Sequence, residues 1–431
     1  MKSARVRQPD VAVSAGRSAV ITLLQPPGTC ADYTRSGSKY PPLGLCLLAA
    51  TCPDQAIVLD AEGEGLTDAE TEDRLKRSGA VAVGMTVTSF TLELTERWAS
   101  RCKQLGMQVI AGGPHATLRP RDLLARCPSV DILVRGDGEE VFPELVKRIR
   151  NGEAVDDVRG VVTRATKSDG EVLRVGDLDE MPLPSFEGLP IHAYRCPDSR
   201  RAPMVTFITS KGCPFSCAFC ASSELFGRKV RTWSVPRVIE KLEELVHVRG
   251  VREVSFVDDG FTVNPRRAFD LCTQMIERRL DLSWFCNVRA DQVTPELARV
   301  MAHAGCHQAY LGLESGSQRI LDSVGKGCTV EQMEAGARVL AEAGIHRSAG
   351  FVVGLPGEDE SSVDATIAMA NRIRPQRIQF TRWTPLPGSR LEGAPGAGAS
   401  GFHDSGEDQV ASWMERCYAE CCGDGWGARS W

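Results

Sequence analysis

Long apolar runs are missing from this 431-residue chain. None reaches the roughly 18 residues that a membrane-crossing helix needs. The opening MKSARVRQPDVAVSAGRSAV also lacks the continuous apolar segment of a signal peptide. The expectation is therefore a cytoplasmic protein with no membrane partner. A strong charge of either sign is missing as well: a net charge of −5 offers no general attraction to a polyanion, so nucleic acid is disfavoured and would need a local basic patch. No G-x-G-x-x-G follows the first β-like run, AVITLL at 19–24, which argues against a dinucleotide site.

What is present is a globular composition, 42% hydrophobic and 25% charged, at a length that suggests two or three domains. Cysteine is abundant, with sixteen residues. In a long chain without a signal these read as free thiols plus a metal site rather than disulfides. Cys30, Cys46, Cys52, Cys102, Cys127, Cys272 and Cys306 stand singly and read as small buried hydrophobes.

Cys213, Cys217 and Cys220 are different. In KGCPFSCAFC they are spaced C-x3-C-x2-C, enough for three irons of a four-iron cluster with the fourth left open to a ligand. A zinc loop completed by a distant Cys or His, or chance clustering, accounts for the spacing too.

Two periodic patterns frame that loop. Over 19–150, β-like runs at 19–24, 56–59, 80–85, 107–111 and 130–134 alternate with helical stretches such as 89–105 and 139–150. Such alternation predicts a doubly wound parallel sheet whose ligands lie beyond the carboxyl ends of its strands. Over 201–395, strands at 204–209, 253–257, 283–287, 308–312, 346–353 and 376–381 alternate with five helices, predicting a partial barrel of six β/α units. The cysteine loop follows the first of these strands. Between the domains, 158–175 reads as a hairpin about Ser168-Asp169-Gly170, and LDEMPLPSFEGLP reads as a surface linker. The expected layout is a tail (1–18), first domain (19–150), hairpin and linker (151–200), barrel (201–395) and an irregular, truncated-looking tail (396–431).

The cysteine spacing, with the aromatic Phe219 before the third cysteine, resembles the radical S-adenosylmethionine (SAM) superfamily. In order, LLQPPG, YPPLGL, GMTVTSF, AGGPHAT and VRGDGEE resemble the cobalamin-binding domain that precedes the core in the cobalamin-dependent branch. That resemblance implies a [4Fe-4S] cluster on Cys213, Cys217 and Cys220, whose open iron binds SAM and whose electron cleaves it to a radical. It implies SAM contacts from Phe219 near the adenine, Asp258 and Asp259 after the second barrel strand, Arg289 after the third, Glu314 and Ser315 after the fourth, and Gly354 after the fifth. It implies cobalamin contacts from Gly84, Thr86, Val87, Thr88, Gly112, Gly113, Gly136 and Gly138. Many cobalamin domains carry a cobalt-ligating histidine in D-x-H-x-x-G; here Asp60-Ala61-Glu62-Gly63-Glu64-Gly65 has glutamate instead. Base-off cobalamin without a protein histidine is expected. His115 in GGPHAT reads first as a hydrogen-bonded loop residue.

The function so implied is methyl transfer from SAM to an unactivated carbon, or to phosphorus, of a small molecule, with a flavodoxin- or ferredoxin-like reducing partner. A non-methylating radical cyclisation, rearrangement or oxidation is the first rival. A cobalamin-binding regulator with a structural metal loop is the second. Radical methylthiolation of transfer RNA is disfavoured, because no further cluster motif surrounds Cys30, Cys46, Cys52 or Cys102.

Overall fold

The computed structural model describes residues 20–29, 38–393, 406–422 and 428–429. The first sheet contains β1 (Ile21–Gln25), β2 (Ala56–Asp60), β3 (Ala82–Thr86), β4 (Gln108–Gly112), β5 (Ile132–Val134) and β6 (Val161–Val162), in the order β2-β1-β3-β4-β5-β6. The first five are parallel and β6 closes the far edge antiparallel to β5. These strands read as continuous apolar runs because helices cover both faces of a parallel sheet. Helix Leu92–Gln104 shows how: Leu92, Thr95, Ala99 and Cys102 form its buried stripe with Trp98. The strand order reverses between β1 and β3, and there the flanking loops part to leave a crevice.

The second sheet is wholly parallel, in the order β15-β14-β13-β12-β11-β10-β7. It contains β7 (Met204–Phe207), β10 (Glu253–Phe256), β11 (Ser283–Val288), β12 (Cys306–Glu314), β13 (His346–Val353), β14 (Arg377–Arg382) and β15 (Ala428–Arg429). The first six are the expected β/α units of an unclosed barrel. Between β7 and β10 a small antiparallel arm is formed by β8 (Ser210–Lys211) and β9 (Arg231–Thr232), and the cysteine loop lies between them.

Three expectations need correction. No hairpin forms about Ser168–Gly170, because backbone carbonyls there are taken by arginines. Arg121 donates to Thr166 and Ser168 carbonyls, and Arg135 donates to those of Asp169 and Gly170. Val161 and Val162 pair with β5 instead.

The connector is no surface linker. Leu178, Phe186, Ile191, Tyr194 and Cys196 are buried in the barrel's apolar core together with Cys46 and Leu47 of the first domain. Trp233 Nε1 donates to the Met181 carbonyl at 3.2 Å, and the Ser185 N–H donates to that of Cys46 at 3.1 Å. The proline-rich composition signalled irregular backbone, whereas the apolar residues between the prolines carry the packing.

The tail is also partly regular. Helix Gly406–Cys422 packs on helix Glu360–Ile373 and on β14, burying Val410, Trp413, Cys417 and Cys421. Trp413 Nε1 donates to Glu360 at 2.6 Å, and the Tyr418 hydroxyl both accepts from and donates to the Phe380 backbone at 3.1 Å.

Cys46, Cys52, Cys102, Cys127, Cys272 and Cys306 are buried as free thiols, while Cys30 lies outside the described residues. Among the described residues no helix is long and apolar enough to cross a membrane.

Candidate functional site

The cysteine loop leaves the fully buried β7 through Gly212, whose φ of +102° and contact with the Lys229 carbonyl, 2.4 Å from where a Cβ would stand, admit only glycine. Three points pin it. The Cys213 N–H donates to the Gly227 carbonyl at 3.1 Å, the Ala218 N–H to that of Val324 at 2.7 Å, and the Leu391 N–H to that of Ala218 at 3.1 Å. Cys213, Cys217 and Cys220 are all partly exposed. Burial pushes the Cys213 and Cys217 thiols above their ordinary range, while Lys326 and Arg289 pull Cys217 back down. Among the described residues no three His, Cys, Asp or Glu side chains converge into a finished ion site. The loop gathers three soft ligands on one short segment. That donor set suits an iron–sulfur cluster with an open iron better than a closed zinc site.

Cations and carboxylates alternate beside Cys217. Lys326 Nζ donates to Glu314 at 2.8 Å, and Arg289 pairs with Asp291 at 3.0 Å, donates to the Lys326 carbonyl at 2.9 Å and stacks 3.7 Å over the Phe215 ring. Glu314 adopts φ +65° at the end of β12, a conformation an L-residue holds only when its surroundings fix it. Sequence reasoning missed Lys326; its signal is the turn Gly325-Lys326-Gly327, with both glycines at positive φ.

The remaining residues expected near SAM divide. Phe219 packs with Ala218, Ile320, Val324, Leu355 and Trp383, beside the Gly354 turn. The Gly354 N–H donates to Glu358, whose buried carboxyl is pushed up to about 7. Asp258 is wholly buried and accepts from the Thr209 N–H at 2.7 Å, the Thr209 hydroxyl at 2.5 Å and the Ser210 hydroxyl at 2.7 Å. Ser315 is buried against the Thr366 hydroxyl at 3.3 Å. These two side chains are committed to internal bonds. Asp259 instead lines the main cavity, its carboxyl raised by burial.

That cavity, about 340 Å³, lies beyond the carboxyl ends of β1, β3, β4 and β5. Gly84, Thr86, Gly112, Gly113, Gly136 and Gly138 line it, while Val87 and Thr88 do not. Val87 is buried beneath, its N–H donating to the Gly112 carbonyl at 2.8 Å, and Thr88 is tied to Thr91 at 3.2 Å. Three wall glycines separate packing from ligand space. Gly136 has φ +85°, and a Cβ there would stand 2.1 Å from the Leu173 carbonyl, so the fold demands glycine. Gly44 and Gly112 have no such constraint: the nearest atoms are 3.9 and 3.8 Å from an added Cβ. Their lack of side chains leaves open wall, as a bulky flat ligand requires.

No histidine or cysteine side chain lines this cavity among the described residues. Glu62 is not among its lining residues and accepts from the Gly28 N–H at 2.6 Å. His115 has both ring nitrogens engaged, with Ser89 at 3.0 Å and Asp122 at 2.9 Å. Asp60 is buried, accepts from the Tyr194 hydroxyl at 2.7 Å, and is pushed up to about 6 chiefly by burial.

The opposite wall comes from the barrel: Ile208, Lys211, Phe226, Val257 and Asp259. Here lies a feature the sequence did not disclose, a buried cluster of four charges. Lys211 Nζ donates to Asp137 at 3.0 Å and Glu139 at 2.5 Å, while Arg231 donates to Asp137 at 2.6 Å.

The comparisons with known proteins agree with this geometry. The family model for the radical SAM superfamily matches residues 207–370, and that for the B12 binding domain matches 31–146. An uncharacterised methyltransferase of Pyrococcus horikoshii is 35% identical over 86% of this chain and 82% of its own. An anaerobic magnesium-protoporphyrin IX monomethyl ester cyclase of Rubrivivax gelatinosus is 28% identical over 84% of this chain and 68% of its own. The fold matches that of the radical SAM methyltransferase TsrM from Kitasatospora setae, solved with cobalamin and a [4Fe-4S] cluster, at a TM-score of 0.71 and 18% identity over 87% of this chain and 77% of that one. The chain belongs to the cobalamin-dependent branch of the radical SAM superfamily and is a radical SAM enzyme.

Proposed function

We propose that this enzyme transfers a methyl group from SAM to an unactivated carbon, or to phosphorus, of a small molecule. The observation that carries the reading is one cavity with two walls. Open glycine wall from the first sheet faces Asp259 and the ends of β7 and β10 on the rim that bears the cysteine loop. When bound, the cluster supplies the electron that cleaves SAM, and cobalamin relays the methyl group.

Cys213, Cys217 and Cys220 would hold the cluster; Gly44, Gly84, Thr86, Gly112, Gly113, Gly136 and Gly138 would face the corrin. Lys326 and Arg289 place positive charge beside Cys217, favouring the thiolate that ligates iron. Glu314, Asp259 and the Phe219–Gly354 side would contact SAM, while Asp258 and Ser315 act through the backbone they brace. Among the described residues no histidine lines the cavity, and His115 is engaged with Ser89 and Asp122, which supports base-off binding. Leu23, Leu45, Leu48 and Phe142 give the cavity an apolar lining that would disfavour water around a bound ligand. Methyl transfer itself calls for no acid–base residue. Electrons would come from a flavodoxin- or ferredoxin-like donor.

The cyclase relative favours one other reading, a radical ring closure without methyl transfer. Anaerobic incubation of cluster-reconstituted protein with hydroxocobalamin, SAM and a strong reductant tests both. Base-off cobalamin, 5′-deoxyadenosine and substrate-dependent S-adenosylhomocysteine are expected, with a product heavier by a methyl group. A product of unchanged carbon count would replace methylation by cyclisation. If the Cys213→Ala variant matches wild type and neither binds cobalamin, the reading fails.

A further inference from the structure

The four buried charges between the domains occupy an unusual position. Asp137 and Glu139 flank Gly138 on the cavity wall; Lys211 lies two residues before Cys213 on the arm that launches the cysteine loop. Lys211 and Arg231 are register partners across that arm, so the cluster joins one rigid hairpin to one cavity loop. All four side chains are at most 7% exposed. The ledger is neutral, two cations against two carboxylates, and backbone groups complete it. Asp137 accepts from the Val175 N–H at 3.0 Å, and Arg231 donates to the Val175 and Phe226 carbonyls at 2.6 and 2.7 Å. A buried network of this kind is weak evidence for stability, because desolvating the charges offsets their attraction. It ties the geometry of the two loops together, since either loop shifting alone would leave a buried charge without its partner. Lys211 pairs with both Asp137 and Glu139 and Arg231 pairs with Asp137, so every one of these ion pairs runs from the arm to the cavity loop, and Lys211, Glu139 and Asp137 line the cavity whereas Arg231 does not.

Resting on the functional reading above, we propose that Lys211 and Glu139 are positioning residues that couple the two cofactor sites: filling the cavity adjusts the Gly136–Glu139 loop, and the Lys211–Glu139 pair carries that adjustment to the Cys213 loop. Coupling of this kind is reciprocal. Hydroxocobalamin affinity should depend on whether the cluster is present, and cluster retention should depend on whether the cavity is filled.

The test uses the full chain and two readouts that need no turnover. Hydroxocobalamin dissociation constants are measured by visible absorption in cluster-free and cluster-loaded protein, and the rate of iron loss to a chelator is measured with and without hydroxocobalamin. In wild type the affinity ratio is expected to be about fivefold or more. The charge-neutral variant Lys211→Met with Glu139→Gln keeps the Arg231–Asp137 pair. It should still bind each cofactor alone, with the affinity ratio lowered toward one and iron loss less responsive to hydroxocobalamin, because only the Arg231–Asp137 pair still joins the arm to the cavity loop. Lys211→Met alone, which strands Glu139, should impair both sites together. A double variant with wild-type coupling overturns the proposal. So does wild type in which both cofactors bind independently, a result that leaves the functional reading intact. Wild type that takes up neither cofactor overturns that reading and the proposal with it.

Discussion

The two walls of the cavity work by opposite means. The first-sheet wall makes room: glycines at strand ends and leucines around them, with Asp137 and Glu139 at its edge toward the barrel. The barrel rim gathers charge: Lys326, Arg289, Glu314 and Asp291 interlock beside Cys217, and Lys211 and Arg231 pair with two carboxylates. A wall of space tolerates little addition, while a rim of charge tolerates little subtraction. Substitutions should therefore separate the two walls by the property they lose.

The largest effect belongs to the cysteines. Replacing Cys213 by alanine should lower SAM cleavage by about a hundredfold or more, and bound iron with it, because it removes one of the three thiolates that would hold the cluster. Iron and sulfide analysis with a 5′-deoxyadenosine assay checks it. Next come the rim aspartates, adjacent in sequence but unlike in role. Asp258→Ala strands three donors and should cost about 3 kcal/mol in urea unfolding. Asp259→Asn should cost less than about 1 kcal/mol and show itself in cofactor affinity instead. Equal stability losses would erase the distinction.

Asp60 provides a pH test. Its carboxyl titrates near 6 in the fold. Between the ordinary aspartate range and 6 the native state keeps a proton that the unfolded chain has lost, so stability falls as pH rises through that window and levels off above it. Relative to Asp60→Asn, wild type should lose about 3 kcal/mol between pH 3 and 7. A difference independent of pH would contradict the buried carboxyl.

The smallest effects compare two glycines. Gly136→Ala meets the Leu173 carbonyl and should cost about 2 kcal/mol. Gly112→Ala meets nothing closer than 3.8 Å and should leave stability within about 0.5 kcal/mol while weakening hydroxocobalamin about tenfold. Unchanged binding would mean that the open wall at Gly112 is not corrin space.

This asymmetry explains what could be read from sequence. Strand and helix positions were legible because parallel strands covered on both faces are continuous apolar runs. Gly84, Gly112, Gly113, Gly136 and Gly138 were picked out by the family resemblance, because turn-making alone also explains a glycine at a strand end, and Gly44 was missed. Polar residues were less legible. Asp258 and Asp259 share a motif, yet one is consumed by Thr209 and Ser210 while the other faces the cavity, and only the fold distributes those partners. Lys211, Arg231 and Lys326 were missed because their meaning depends on carboxylates between 12 and 94 residues away. The connector misled for the converse reason: proline and acid dominate its composition, but Leu178, Phe186 and Tyr194 decide its place.

Those three side chains have a wider consequence. A join pegged into the barrel and hydrogen-bonded to the first domain at Cys46 cannot serve as a seam for modular exchange. Transplanting either half onto a foreign partner would leave orphaned apolar sockets on one side and bare pegs on the other. New substrates in such an architecture are better sought by remodelling loops around the rim than by swapping its halves.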